Sequence, residues 1–286
     1  MNEPGNIPHT DFKAALKDVV NFAYRRAKQW LALLFCLQIF LFVGGVVAIF
    51  YPKVTLSYPF IAFPLACVHA WISFRIAKNK SVAEECKRKL EIYDGFGRKP
   101  GNKWLANLRL AYPGKEKSAI NILLREGVTY DSNAPLGPRR AIENLAESAW
   151  YSNHHSVWCR NAIGWATFVS GILILAIIFY LISTLDDVES LRAASKAVAA
   201  TFVFLLSLGA VRGMIAYGSF ASKADRIDDD AAEVLNREGD ISEYDALRIL
   251  HEYQMARSSA PMIPTWVWRL QRDELNKNWK IKKGED

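Results

Sequence analysis

Residues 162–185 and 194–217 are almost wholly apolar, and only a short polar interval separates the two runs. Each is about as long as a helix must be to cross the roughly 30 Å hydrocarbon core of a bilayer. The interval, 184–192, carries Asp186, Asp187 and Glu189 against Arg192. Short loops rich in Lys and Arg stay in the cytoplasm, so a loop this poor in cations faces the other way. The pair therefore predicts a membrane hairpin with both ends inside, and the rest of the chain has to fit that geometry.

The N-terminal quarter predicts a second hairpin of the same polarity. Thr10 and Asp11 offer an N-cap, after which Phe12, Leu16, Val19, Val20, Ala23, Ala27 and Trp30 recur at helical spacing. Lys13, Lys17, Arg25, Arg26 and Lys28 occupy much of the remainder, as in a basic amphipathic helix at the cytoplasmic interface. It leads into 30–50, which has no formal charge and is bracketed by Trp30 and by Phe50 with Tyr51. A tight connection, 51–56, precedes a span at 54–74 that is interrupted by Pro59 and Pro64 and ends in Arg75, Lys78 and Lys80. That basic end belongs inside. Both loops thus give one topology, a multi-pass protein with four spans and cytoplasmic termini.

The predicted fold is an all-α integral membrane protein: four transmembrane helices in two hairpins, with a mainly helical cytosolic domain built from the insert between spans 2 and 3 and the C-terminal tail. Its divisions are a cytoplasmic amphipathic helix (1–29), hairpin 1 (30–77), the insert (78–161), hairpin 2 (162–217) and the tail (218–286). In the insert, 81–93 continues span 2 as a helix with Val82, Cys86, Leu90 and Tyr93 on one side and a stop at Asp94-Gly95. A short helix is expected over 104–110, and 120–124 is an ambiguous apolar patch. Pro138 opens a helix that runs into span 3, with Ile142, Leu145, Ala149 and Ser152 as its packing face. In the tail, 219–237 carries Ile227, Ala231 and Val234 on one face and closes at Gly239. Ser242 and Asp245 resemble a capping box for a helix over 243–257. Residues 258–264 break it, and a basic, Trp-bearing helix follows over 266–279.

Composition fits this class: 51% of residues are hydrophobic and they are concentrated in a few runs. The net charge of +7 has two readings, the cation excess of cytoplasmic parts and a nucleic-acid groove. The first suffices, and no DNA or RNA partner is expected. Cys36, Cys67, Cys86 and Cys159 form no CxxC pair, which supports neither a zinc knuckle nor a disulfide framework. Residues 1–10 lack the charged and apolar regions of a cleavable signal, so the first span is expected to direct insertion.

Signals for chemistry are weak. Residues 236–245 imitate the second half of a calcium loop through Gly239, Ile241 and Ser242, but Val234 stands at the first ligand position and Asp245 at the last. His251-Glu252 starts like a zincin motif whose second histidine is replaced by Met255. Asp228, Asp229 and Asp230 read as a solvated helix face, and His154, His155 and Cys159 lack further ligands. No enzyme activity, catalytic residue, metal site or cofactor is expected. The spans hold no Asp or Glu. Gln38 and His69 lie about 12 Å and 8 Å along their helices from the inner ends, close enough in depth for a hydrogen bond between helices. Ala162, Ala166 and Ser170, then Gly209 and Gly213, then Gly44 and Ala48, are small residues four apart that let helices approach within or between chains. Thr167, Ser170, Thr201 and Ser207 are the mildly polar candidates for a lining formed by assembled subunits.

The segments AYRRAKQW, EIYDGFG, ENLAESAWYSNHHSVW and LHEYQMARSSAPMIPTWVWRL resemble, in order and in placement relative to the spans, the SMODS-associating four-transmembrane pore-forming effectors of bacterial CBASS antiphage systems. The resemblance implies an inner-membrane effector that takes a cyclic oligonucleotide from a partner nucleotidyltransferase, oligomerises and permeabilises the bilayer. Such a ligand needs cations for phosphates and flat faces for bases. Arg139, Arg140, Trp150, Tyr151, His251, Tyr253, Arg257, Trp266, Trp268 and Arg272 offer both. The other reading makes these aromatics core and interfacial belt and the chain a membrane scaffold or small transporter with a protein partner.

Overall fold

A computed structural model describes residues 9–101, 103, 104, 108, 134–184, 187–207 and 209–284. Its described elements are all helical: α1 (His9–Phe50), α2 (Pro52–Phe96), α3 (Pro138–Thr184), α4 (Val188–Ser207), α5 (Ala210–Asn236), α6 (Glu243–Ser259) and α7 (Thr265–Lys283). Three helical stretches are long and apolar enough to cross a membrane, Leu16–Ile49, Ser57–Phe96 and Pro138–Tyr180. Each belongs to a helix that continues beyond its apolar part without a break, so the apolar and charged ends of the molecule share continuous helices. The apolar ends leave large side chains uncovered, Phe60, Phe63 and Phe179 among them, as lipid-facing positions require.

Tyr51 alone joins α1 to α2, a shorter link than the expected 51–56. Pro52 can open α2 at once because a first-turn residue has no helical N–H bond to lose. The Tyr58 hydroxyl donates to the Leu41 carbonyl at 2.6 Å and pins the hairpin. Its ring fills the space above Gly44, where a Cβ would come within 3.0 Å. Gly44 thus admits a tyrosine. Pro59 and Pro64 lie inside α2 and do not end it. The helix passes the expected stop at Asp94-Gly95 and ends at Gly97, whose φ of 70° is left-handed. Thr10 and Asp11 are likewise inside α1 and not ahead of it.

The fourth apolar run differs most from expectation. Residues 194–217 do not form one helix: α4 ends at Ser207 and α5 begins at Ala210, with Gly209 at φ 68° between them. A left-handed residue breaks the helical hydrogen-bond ladder, and glycine adopts that conformation without a Cβ penalty.

At the charged end, the first half of α3, α5 from Phe220 onward and α6 enclose a core of Ile142, Leu145, Phe220, Ile227, Ile249 and Tyr253. The expected packing faces of 138–161 and 219–237 are the ones buried there. Leu16, Val20, Cys86 and Leu90 form a second cluster between α1 and α2, against which Trp104 and Leu108 pack. Lys103, Trp104 and Leu108 are helical; the rest of 104–110 and the patch at 120–124 lie outside the described residues. Ser242 precedes α6 without making a side-chain cap bond, so the capping box does not form.

Candidate functional site

Glu84 and Glu91 are seven residues apart on α2, two helical turns, and so share a face. Arg257 of α6 lies between them. Its Nε donates to Glu84 at 2.9 Å and its two terminal nitrogens to Glu91, the longer bond being 3.2 Å. The Tyr24 hydroxyl of α1 donates to the other Glu84 oxygen, and Gln254 donates to Glu91 at 3.0 Å. The Tyr253 ring flanks the guanidinium. The three charged side chains are at most 8% exposed. Burial works against the charge on Arg257, yet the carboxylate of Glu91, with Tyr253 and Glu84, holds its pKa above its already high ordinary value. Three helices are therefore tied at one buried ion cluster. Nearby, the Lys80 ammonium donates to the carbonyls of Ser258, in the last turn of α6, and of Ala260, its C-cap.

A second cluster surrounds Asp94. Lys13 of α1 and Arg140 and Asn144 of α3 all donate to its carboxylate, and the Arg140 Nε donates to the Asp94 carbonyl at 3.0 Å. Between the clusters is a small cavity of about 10 Å³, lined by Glu91, Asp94, Asn144, Ser148 and Tyr253 on its polar side. That is about the room of one water and far too little for a small-molecule ligand. The carboxylates in this lining would also repel phosphate. Among the described residues the buried Asn144 Oδ1 has no hydrogen-bond partner.

The ten residues selected from sequence do not converge on this pocket; of them only Tyr253 lines it. Tyr253 is buried, its hydroxyl 2.8 Å from Ser152 Oγ and 3.0 Å from the Ser148 carbonyl. Arg140 and Arg257 are committed to carboxylates, and Arg139 pairs with Glu143 one turn away. His251 is exposed on α6. Trp266 sits edge-on to Trp158, and Arg272 lies over Trp268 while pairing with Asp273. Trp150 and Tyr151 do meet, on the face where α7 runs back along α3. There Trp150 contacts Tyr151, His154 and Trp279 at centroid distances of 5.0, 4.3 and 5.3 Å. The Tyr151 hydroxyl donates to Asn276 at 2.7 Å, and the Lys282 and Lys283 ammoniums lie over the Trp279 ring.

Among the membrane-run candidates, Gln38 and His69 are joined by a hydrogen bond of 3.3 Å between α1 and α2. The Thr167 and Thr201 hydroxyls donate to carbonyls one turn back in their own helices, which leaves neither donor for a lining. Ala166 is exposed and Ser170 half-buried on α3; the Ser207 side chain lies outside the described residues. Gly213 meets Ile163, 3.5 Å from where its Cβ would be. Gly209, at φ 68°, is a helix break, and among the described residues nothing lies within 4 Å of where its Cβ would be. The aspartate run also differs: Asp228 is buried and paired with Lys282 at 2.5 Å, while Asp229 is exposed.

Glu84, Glu91, Asp94 and Trp279 were not selected from sequence. The Glu84 and Glu91 spacing was visible, but the partner that gives it meaning is 166 residues further on. Comparison with known protein families, with curated proteins and with solved structures gives no match.

Proposed function

We propose that this chain is a membrane effector: its charged end is cytosolic and binds a cyclic oligonucleotide, and its spans, four in two hairpins with both termini inside, assemble with those of other copies to permeabilise a bacterial inner membrane. The observation that carries the sensing part is the face formed by Trp150, Tyr151, His154 and Trp279 beneath the Lys282 and Lys283 ammoniums. The half-buried Tyr151, His154 and Trp279 rings suit bases and the Lys283 ammonium suits a phosphate, while Trp150 is buried behind them and Lys282 is paired with Asp228. The acidic pocket beside Tyr253 is the wrong charge and size for that ligand. The coupling part rests on helix continuity, since α2 and α3 run from the ion clusters into the apolar layer with no joint between.

The second reading, a scaffold or small transporter with a protein partner, draws on the dispersal of the ten candidate residues, most of which already contact one another or a carboxylate. Dye-loaded liposomes separate the two. The purified protein, shown to be folded and inserted, is challenged with a panel of cyclic di- and trinucleotides. The effector leaks dye with one member and not the others, and Trp279→Ala abolishes that response. Silence across the panel favours the scaffold; equal leakage by Trp279→Ala rejects the proposed face.

A further inference from the structure

The acidic residues are distributed in a way that has a spatial counterpart. The sequence has no Asp or Glu between Asp18 and Glu84, between Glu147 and Asp186, between Glu189 and Asp225, or between Glu252 and Asp273. These windows come from all parts of the chain, yet contacts bring their membrane-proximal portions to one level. Lys28 of α1 donates to Thr265 at the start of α7 at 3.1 Å. Trp266 then meets Trp158 of α3, and the Tyr217 hydroxyl of α5 donates to the Met262 carbonyl at 2.8 Å. Arg160 of α3 packs against Gly218 of α5. In the other hairpin Arg75 lies over the Trp30 and Trp71 rings, which pack edge to face.

The result is a collar around the molecule, between the apolar helices and the ion-paired bundle. It contains cations and tryptophans without carboxylates. Among the described residues, no ion pair includes Arg25, Lys28, Arg75, Lys78, Arg160 or Arg212. Arg25, Lys78, Arg160 and Arg212 are exposed. Deeper in the bundle the opposite holds, with Lys13, Arg140, Arg257 and Lys282 all committed to carboxylates. Tryptophan favours the headgroup level of a membrane, and cations there attract anionic lipids. The collar also adjoins the apolar surface that faces acyl chains, so a lipid seated with its tails on those helices brings its phosphate to these side chains.

We infer that the collar is a binding surface for anionic lipid headgroups, held to the protein as a charged ring. This does not depend on nucleotide sensing. The full chain, reconstituted in vesicles of phosphatidylcholine with a minor fraction of phosphatidylglycerol, is extracted and its retained lipids are counted by native mass spectrometry. The wild type retains phosphatidylglycerol above its share of the vesicle, and added salt lowers the enrichment. Each cation contributes about fivefold near such a surface. Arg25→Gln/Lys78→Gln/Arg212→Gln therefore lowers the enrichment by at least about tenfold. Arg237→Gln/Arg248→Gln/Lys277→Gln, with the same charge change away from the collar, leaves it unchanged. Equal retention of both lipids by the wild type overturns the inference, as does an equal loss in both variants or no loss in the collar variant. If the collar variant fails to fold, the wild type decides through its salt dependence, and enrichment that persists in high salt overturns the inference.

Discussion

Replacing Arg257 with methionine keeps most of the side-chain length and removes the charge, leaving Glu84 and Glu91 buried with only Tyr24 and Gln254 as neutral hydrogen-bond donors. Both carboxylates are at most 8% exposed, so water cannot replace the lost cation without opening the interface between α2 and α6. Breaking a buried ion pair by deleting one partner costs about 3–5 kcal/mol. At about 2 °C per kcal/mol for a chain of this size, the expected loss is about 6–10 °C in Tm. The readout is thermal unfolding in detergent followed by tryptophan fluorescence, for which the nine tryptophans suffice. The compensated variant Arg257→Met/Glu84→Gln/Glu91→Gln removes the guanidinium and both carboxylates together and should return to within about 2 kcal/mol of the wild type, the remaining loss falling on Lys87, whose charge both carboxylates support. A single-variant loss below about 1 kcal/mol, or a triple variant no better than the single one, would refute the assignment of Arg257 as the counter-charge of both carboxylates.

Three further outcomes follow from local geometry. Gly95→Ala places a Cβ 2.7 Å from the Ala141 Cβ and 3.1 Å from its Cα; backbone must shift, and a loss of about 1–3 kcal/mol is expected by the same unfolding assay. Gly209→Ala meets no neighbour within 4 Å but must hold φ 68°, so about 1–2 kcal/mol is lost unless α4 and α5 join into one helix, which increased helicity by circular dichroism would reveal. Burial raises the pKa of Asp228 above 3.8 although Lys282 opposes the shift. The folded state therefore holds that proton more tightly than the unfolded state, and this stabilisation is present at low pH and lost as pH rises from 3.8 through the folded value. The Tm of Asp228→Asn should accordingly gain on that of the wild type across that window and hold a constant difference above it; a difference independent of pH would reject the burial argument.

The helical architecture was legible because its signals are local. Apolar runs of bilayer length, Pro138 at a helix start and the periodic faces of 138–161 and 219–237 each depend on residues within a few turns of one another. The break at Gly209 was not, since a glycine inside an apolar run reads equally as a packing residue or as a left-handed joint. Hydropathy does not record φ. The candidate site was least legible, for a different reason. Cations and aromatics were chosen for what they offer a ligand, but whether Arg140 or Arg257 is available depends on Asp94 and on Glu84 with Glu91, carboxylates on another helix. Tyr151 and Trp150 were identified, while Trp279, which completes their cluster, looked like one more interfacial tryptophan near the end of a basic helix.

The Arg257 cluster sits on a helix that also enters the apolar layer. Glu84 is 20 residues from Pro64 along α2, about 30 Å of helix. Between them no glycine or proline interrupts the chain, and the helix carries its full ladder, so that length moves as a rod. Pro64 and Pro59 are the first positions where the ladder lacks N–H donors and bending is easiest. Separating Arg257 from Glu84 and Glu91 removes the buried ion cluster between α6 and this rod, while Gln254 still donates to Glu91 and Lys80 to the carbonyls of Ser258 and Ala260. Hairpin 1 also stays joined to α3 through the bonds of Arg140 and Asn144 to Asp94, so both clusters have to part before it can shift against the α3–α5 pair. The buried carboxylates of Glu84, Glu91 and Asp94 thus bind α2 to α6 and α3 at the end of a rod that runs without glycine or proline to Pro64.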